Sequence, residues 1–265
     1  MPEFSSYPPG TPSWVDLSTS DVDGAARFYG ELFGWETFEP GDAEETGGYR
    51  MFTVRGKQVA GLAPVQQEGQ PPAWTTYIAS SDAEETARKA GEAGGQVFMP
   101  PFDVMDAGRM TMIADPTGAV FGVWQAGRHT GAELANEPGA LCWNELATRD
   151  LEGAKRFYGE VFGWGAQTRD MGGGVEYTEL QLDGRTIAGM SDMADRFPDE
   201  VPAHWDVCFA VEDCDASVDR AKELGGSVAA EPLTIEPGRF AVLVDPQGAT
   251  VSIIALSGEP PAPPT

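Results

Sequence analysis

Two acidic residues stand in matching settings in the two halves of this chain: Asp16 in Ser13-Trp14-Val15-Asp16-Leu17, and Glu145 in Cys142-Trp143-Asn144-Glu145-Leu146. If each segment is a strand, alternation puts Asp16 on the face of Trp14 and Glu145 on the face of Trp143. Desolvation against an indole wall raises a carboxyl pKa. Such a group can serve as a general acid or base, or accept a hydrogen bond from a ligand hydroxyl. A structural use is equally open, in which the two acids pair with backbone amides or with Arg109 and Arg239, which also recur in the two halves.

Other reactive types are sparse. His204 and Asp206, in Pro202-Ala203-His204-Trp205-Asp206, share one strand face by their spacing. No Gly-x-Ser-x-Gly elbow exists to supply a nucleophile for them. The glycine-rich piece Met171 to Gly174 lacks the lysine and following helix of a phosphate-binding loop. Cys142, Cys208 and Cys214 are too few and too unevenly spaced for a disulfide framework or a C-x-x-C metal site, and read as packed, reduced thiols.

The elements that position these residues are written twice. Arg27-Phe28-Tyr29-Gly30-Glu31 and Phe33-Gly34-Trp35 match Arg156-Phe157-Tyr158-Gly159-Glu160 and Phe162-Gly163-Trp164. Later in each half, Asp115-Pro116-Thr117-Gly118 matches Asp245-Pro246-Gln247-Gly248. The repetition divides the chain into an arm (1–9), a first domain (10–126), a linker (127–138) that carries His129, a second domain (139–257) and a proline-rich tail (258–265).

Within the first domain the pattern predicts a strand from Trp14 to Thr19 and a helix capped by Asp21 that ends at Gly34. A hairpin turning at Arg55-Gly56-Lys57 follows. A second round then has a strand at Trp74 to Ala79, a helix at Ala83 to Ala93, and strands near 96–99, 109–114 and 119–125. Each domain is therefore expected to be βαβββ twice over, an α+β arrangement, with helices at 151–162 and 214–224 in the second copy.

Composition limits the partners. A formal charge of -25 repels phosphate backbones and anionic lipid surfaces, so neither nucleic acid nor a membrane is expected. The apolar runs are strand-length, and Met1 to Pro12 has neither the basic start nor the apolar stretch of a secretory signal. Cytoplasmic residence is the expectation. Whether the chain forms a homodimer stays open.

The strand-Asp-helix segment with Phe-Tyr-x-x-x-Phe-Gly-Trp, the Gly-Gly after the second helix, and Asp-Pro-x-Gly before the last strand together resemble the vicinal oxygen chelate superfamily. This family holds glyoxalase I, extradiol dioxygenases and bleomycin-resistance binding proteins. The likeness covers nearly the whole chain and is strongest to a two-domain subgroup that includes a glyoxalase-like mycobacterial antigen and accessory proteins of anthracycline clusters. It implies tandem domains whose paired βαβββ modules form open eight-stranded cups around small molecules.

Metal-dependent members place His, Gln or Glu on four cup strands. Those positions fall here on Trp14, Gly61, Thr75 and Gly122, and on Trp143, Gly189, Asp206 and Ser252. Asp206 alone is a plausible ligand, so no metal and no other cofactor is expected. What remains is a small-molecule site. Trp14, Asp16, Thr75, Tyr77 and Trp124 are the candidates in one cup, where the aromatic residues either stack on a planar ligand or pack as core. Trp143, Glu145, Asp206, Cys208 and Ser252 are the candidates in the other. The expected function is binding of an apolar or aromatic metabolite, such as an antibiotic or polyketide. The alternative is a divergent enzyme, a lyase, isomerase or oxygenase accessory, with Asp16 or Glu145 as acid or base. An extracellular interaction role has only the antigen likeness behind it.

Overall fold

A computed structural model describes residues 3–67, 69–171, 176–194 and 196–258. Its elements follow the repeat. The first half runs β1 (Pro12–Thr19), α1 (Val22–Phe33), β2 (Glu36–Phe38), α2 (Ala43–Thr46), β3 (Arg50–Val54), β4 (Lys57–Pro64), β5 (Ala73–Ser80), α3 (Ala83–Glu92), β6 (Gln96–Val97), β7 (Phe102–Val104), β8 (Gly108–Ala114) and β9 (Val120–Ala126). The second half runs β10 (Leu141–Thr148), α4 (Leu151–Phe162), β11 (Gly165–Asp170), β12 (Glu176–Leu182), β13 (Arg185–Asp192), β14 (His204–Ala210), α5 (Cys214–Glu223), β15 (Ser227–Ile235), β16 (Gly238–Val244) and β17 (Thr250–Leu256).

Local chemistry sets the boundaries. The Asp21 carboxylate accepts from the amide of Gly24 and opens α1, and Gly34 closes it in the left-handed region at φ 72°. Asp150 and Gly163 do the same for α4. Arg55 and Gly56, both with positive φ, form the tight turn between β3 and β4.

Each half builds one open sheet. The orders are β2-β3-β4-β1-β5-β9-β8-β6, with β7 also on β8, and β11-β12-β13-β10-β14-β17-β16-β15. In each, the two modules meet at a central antiparallel pair, β1 with β5 and β10 with β14. No helix among the described residues is long and apolar enough to cross a membrane.

One face of each sheet turns toward the other half. Phe28, Tyr29 and Trp35 of the first half share a core with Val207, Phe209, Val218 and Leu243 of the second, while Ile113 and Phe121 share another with Phe157, Tyr158 and Trp164. The repeated motifs lie in these seams. Tyr29 donates to Asp245 (3.0 Å) and accepts from Trp74 Nε1 (3.1 Å); Tyr158 donates to Asp115 (3.1 Å) and accepts from Trp205 Nε1 (2.9 Å). Trp35 and Trp164 reach the carbonyls of Gly139 and Gly10, each 2.7 Å away in the opposite half. Between the central strands, Thr76 Oγ1 donates to Asn144 Oδ1 at 2.8 Å. The other face of each sheet, carrying Trp14 and Asp16 or Trp143 and Glu145, points away from this shared core.

Candidate functional site

Strand register places the candidate residues in rows. In the first cup Asp16 lies between Gly61 on β4 and Thr75 on β5, and Trp14 pairs with Tyr77, which pairs with Gly122 on β9. In the second, Glu145 lies between Gly189 and Asp206, and Trp143 pairs with Cys208, which pairs with Ser252. The carboxylate, and not the indole, therefore shares a row with Gly61 and Thr75.

Asp16 is 6% exposed. The Tyr77 hydroxyl donates to its Oδ2 at 2.9 Å and that of Tyr49 at 3.4 Å, while Trp14 Nε1 donates to the Tyr49 oxygen at 3.0 Å. Desolvation pushes the Asp16 carboxyl up to about 6, against the opposing effect of the two phenols. The second cup repeats this unit. Trp143 Nε1 donates to Tyr177 (2.9 Å), Tyr177 donates to Glu145 Oε2 (2.9 Å), and Ser191 donates to Oε1 (2.7 Å). Burial again raises the carboxyl, with the negative Asp206 adding to the effect.

The arginine pairing considered from sequence does not occur. Arg109 bonds Asp103 at 2.7 Å and also Glu84, and Arg239 bonds Asp215 at 2.5 Å. Tyrosine and serine hydroxyls hold the two acids instead. Tyr49 and Tyr177 are residues that the sequence reading missed. Their signal was there: they stand 35 and 34 residues after the two tryptophans, in corresponding places of the repeat.

The two cups differ in their covering. In the first, Trp14, Met51, Tyr77 and Trp124 are buried together with Ala132 of the segment that the sequence reads as a linker. That segment folds over the cup. Trp124 Nε1 donates to the carbonyl of His129 (2.8 Å), the His129 ring meets Trp14 edge to face with centroids 4.3 Å apart, and Tyr7 of the arm donates to the carbonyl of Ala132 (2.7 Å). Burial lowers the His129 imidazole to about 4 and keeps it neutral. Thr75 stays partly exposed.

In the second cup Trp143, Glu145, Tyr177 and Asp206 are all partly exposed, with Cys208, Ser252 and Ile254 buried beside them. Asp206 faces His204 at 3.5 Å, and the other ring nitrogen of His204 lies 2.8 Å from the carbonyl of Pro202, so neither nitrogen meets a serine hydroxyl. Burial disfavours the charged imidazole, but Asp206, the Pro202 carbonyl and Glu145 outweigh it and raise the pKa. The glycine-rich stretch at 172–174 lies outside the described residues.

Three of the strand positions at which metal-dependent members would carry a ligand are crowded by aromatic side chains. A Cβ at Gly61 would lie 1.9 Å from the Tyr49 hydroxyl, one at Gly189 equally close to that of Tyr177, and one at Gly122 2.1 Å from the Tyr77 ring. Aromatic side chains occupy the volume into which ligands from those strands would project. Among the described residues no three His, Cys, Asp or Glu are grouped to hold a metal ion. The cysteines are free, with Cys142 Sγ 3.9 Å from Cys208 Sγ. A polar pocket of about 330 Å³ lies elsewhere, between the arm, Gln58 and residues 128–133, where Lys57 is engaged by Glu3 and Glu133.

Comparison with known proteins agrees with this architecture. Residues 11–123 match the family model for the glyoxalase/bleomycin resistance protein/dioxygenase superfamily, and residues 142–254 match that for a glyoxalase-like domain. The chain is 46% identical over 259 residues to "Putative glyoxylase CFP32" of Mycobacterium tuberculosis, covering 96% of this chain and 98% of that protein. It is 40% identical over 271 residues to the anthracycline biosynthesis protein DauV of Streptomyces sp. strain C5, covering 97% of each. Among solved structures, it shares its fold with the Mn(II)-bound glyoxalase of Novosphingobium aromaticivorans, with a TM-score of 0.63 at 18% identity over 96% of this chain and 88% of that one. The 2,3-dioxygenase LapB of Pseudomonas sp. KL28 gives a TM-score of 0.66 at 14% identity over 96% and 94%. The chain therefore belongs to the glyoxalase/bleomycin resistance protein/dioxygenase superfamily, with one copy of the domain in each half.

Proposed function

We propose that the protein binds a small apolar or aromatic molecule in its second cup, without a metal ion. One observation carries this reading: the same tryptophan-tyrosine-carboxylate unit is built into both cups, but the first is sealed by Tyr77, Trp124 and the His129 segment while the second stays accessible. An indole and a phenol flanking a carboxylate suit a flat ligand that carries a polar group. The relation to a protein named for anthracycline biosynthesis supports an antibiotic or polyketide as the ligand.

Calorimetric titration with a panel of planar aromatics tests this directly. Saturable binding to the intact chain that is lost in Trp143→Ala and kept in Trp14→Phe supports the second cup; an unsaturable response across the panel refutes it. Elemental analysis of protein purified without chelator is expected to find manganese, iron, nickel and zinc far below one per chain.

The pKa of Glu145, raised by burial on a residue that is itself partly exposed, favours a second reading in which that group moves a proton on the bound molecule. Turnover that survives chelation and disappears in Glu145→Gln, with binding retained, would establish it.

A further inference from the structure

The two cups differ at two neighbouring positions in a way that bears on the chemistry of a ligand. Tyr77 in the first corresponds to Cys208 in the second, since each pairs with the cup tryptophan across the central strands. The Tyr77 ring needs Gly122 beside it, where a Cβ would come within 2.1 Å of the ring. Next to Cys208 the equivalent residue is Ser252, which carries a side chain. Tyr77 brings a phenol hydroxyl to the Asp16 carboxylate at 2.9 Å, over which Trp14, Trp124 and His129 close.

In effect the first cup holds a phenol of its own. The second keeps the receiving carboxylate, Glu145, with its tryptophan and tyrosine, but puts a short thiol where the phenol would start. Among the described residues Glu145 accepts one hydrogen bond on each oxygen, from Ser191 and Tyr177. A carboxylate has about four acceptor positions, so capacity for a further donor remains.

Resting on the second-cup reading, we propose that the ligand is a hydroxylated planar aromatic whose phenolic hydroxyl donates to Glu145, as Tyr77 donates to Asp16. Trp143 supplies the stacking face. The hydroxyl is the specificity element, because an ether at that position presents only lone pairs to a carboxylate.

The test uses the intact chain and three probes of one shape: 2-naphthol, 2-methoxynaphthalene and naphthalene, titrated calorimetrically at neutral pH. The expected result is that 2-naphthol binds at least about tenfold more tightly than the other two, a ratio typical of one hydrogen bond to a charged group. Glu145→Gln should bring that ratio below about threefold. The double variant Cys208→Tyr, Ser252→Gly, which rebuilds the internal phenol, should abolish naphthol binding while its circular dichroism stays native. Equal affinity of the three probes in the natural chain, with binding still blocked by the double variant, overturns the phenol assignment and leaves the second-cup reading standing. If no probe binds, or if binding ignores both Glu145→Gln and the double variant, both fall.

Discussion

At the residue scale the distinctive feature is a carboxylate kept beside aromatic side chains by hydroxyl donors. For Asp16 this has a consequence for stability. Its pKa rises from the ordinary 3.8 to about 6 on folding, so between those values the folded chain holds a proton that the unfolded chain has released. Stability from this group is greatest at the acid end, falls as pH rises through the window and is level above it, a loss on the order of 3 kcal/mol. Asp16→Asn removes the effect. The unfolding free energy of the natural chain minus that of Asp16→Asn, followed by urea denaturation, should fall by that amount from pH 3.8 to neutrality; parallel curves would disprove the assignment. The shared faces of Trp14 with Asp16 and of Trp143 with Glu145 were legible from alternation alone. Their donors were not, because Tyr49, just before β3, and Tyr177, on β12, stand more than thirty residues further along the chain, and register across β4 and β13 is invisible to local pattern.

At the element scale, what a strand carries depends on what its neighbour must fit. Gly122 on β9 and Ser252 on β17 are equivalent by register, yet Gly122 pairs with Tyr77 and lies against its ring, while Ser252 pairs with Cys208. Gly122→Ala should destabilise by about 1–3 kcal/mol through overpacking. Ser252→Ala should stay within about 1 kcal/mol of the natural chain. Thermal or chemical unfolding of the two variants decides it, and equal effects would contradict the filled-against-open comparison of the cups. The main helices and the core strands could be read from capping residues and hydrophobic period. The short β2, α2 and β7 could not: β2 is exposed at all three residues and α2 buries none of its four, so neither carries a periodic signal. The segment at 127–138 reads as a linker because it lies between the two copies and carries Asn136 and Pro138 with Gly139 just after, although its His129 packs on Trp14 and Trp124.

At the scale of the whole molecule the duplication has two separate meanings. The motifs most visible in sequence, Phe-Tyr-Gly, Phe-Gly-Trp and Asp-Pro-x-Gly, join the halves to each other, as Tyr29 with Asp245 and Tyr158 with Asp115 show. Tyr29→Phe would remove the Tyr29 donor from Asp245 Oδ2 and leave the Trp74 indole nitrogen without its acceptor in the shared core. It should cost about 1–3 kcal/mol, with calorimetry still showing one unfolding transition because the cores contain both halves. Two resolved transitions would mean that the halves are independent. The second meaning lies in the cups, where a common polar unit is closed in one copy and accessible in the other. A crystal structure of the chain soaked with 2-naphthol tests this most directly. One ring is expected against Trp143 with its hydroxyl within hydrogen-bond distance of Glu145, and the first cup unchanged under His129; a ligand in the first cup with His129 displaced, or a metal ion coordinated in either cup, would overturn the proposal.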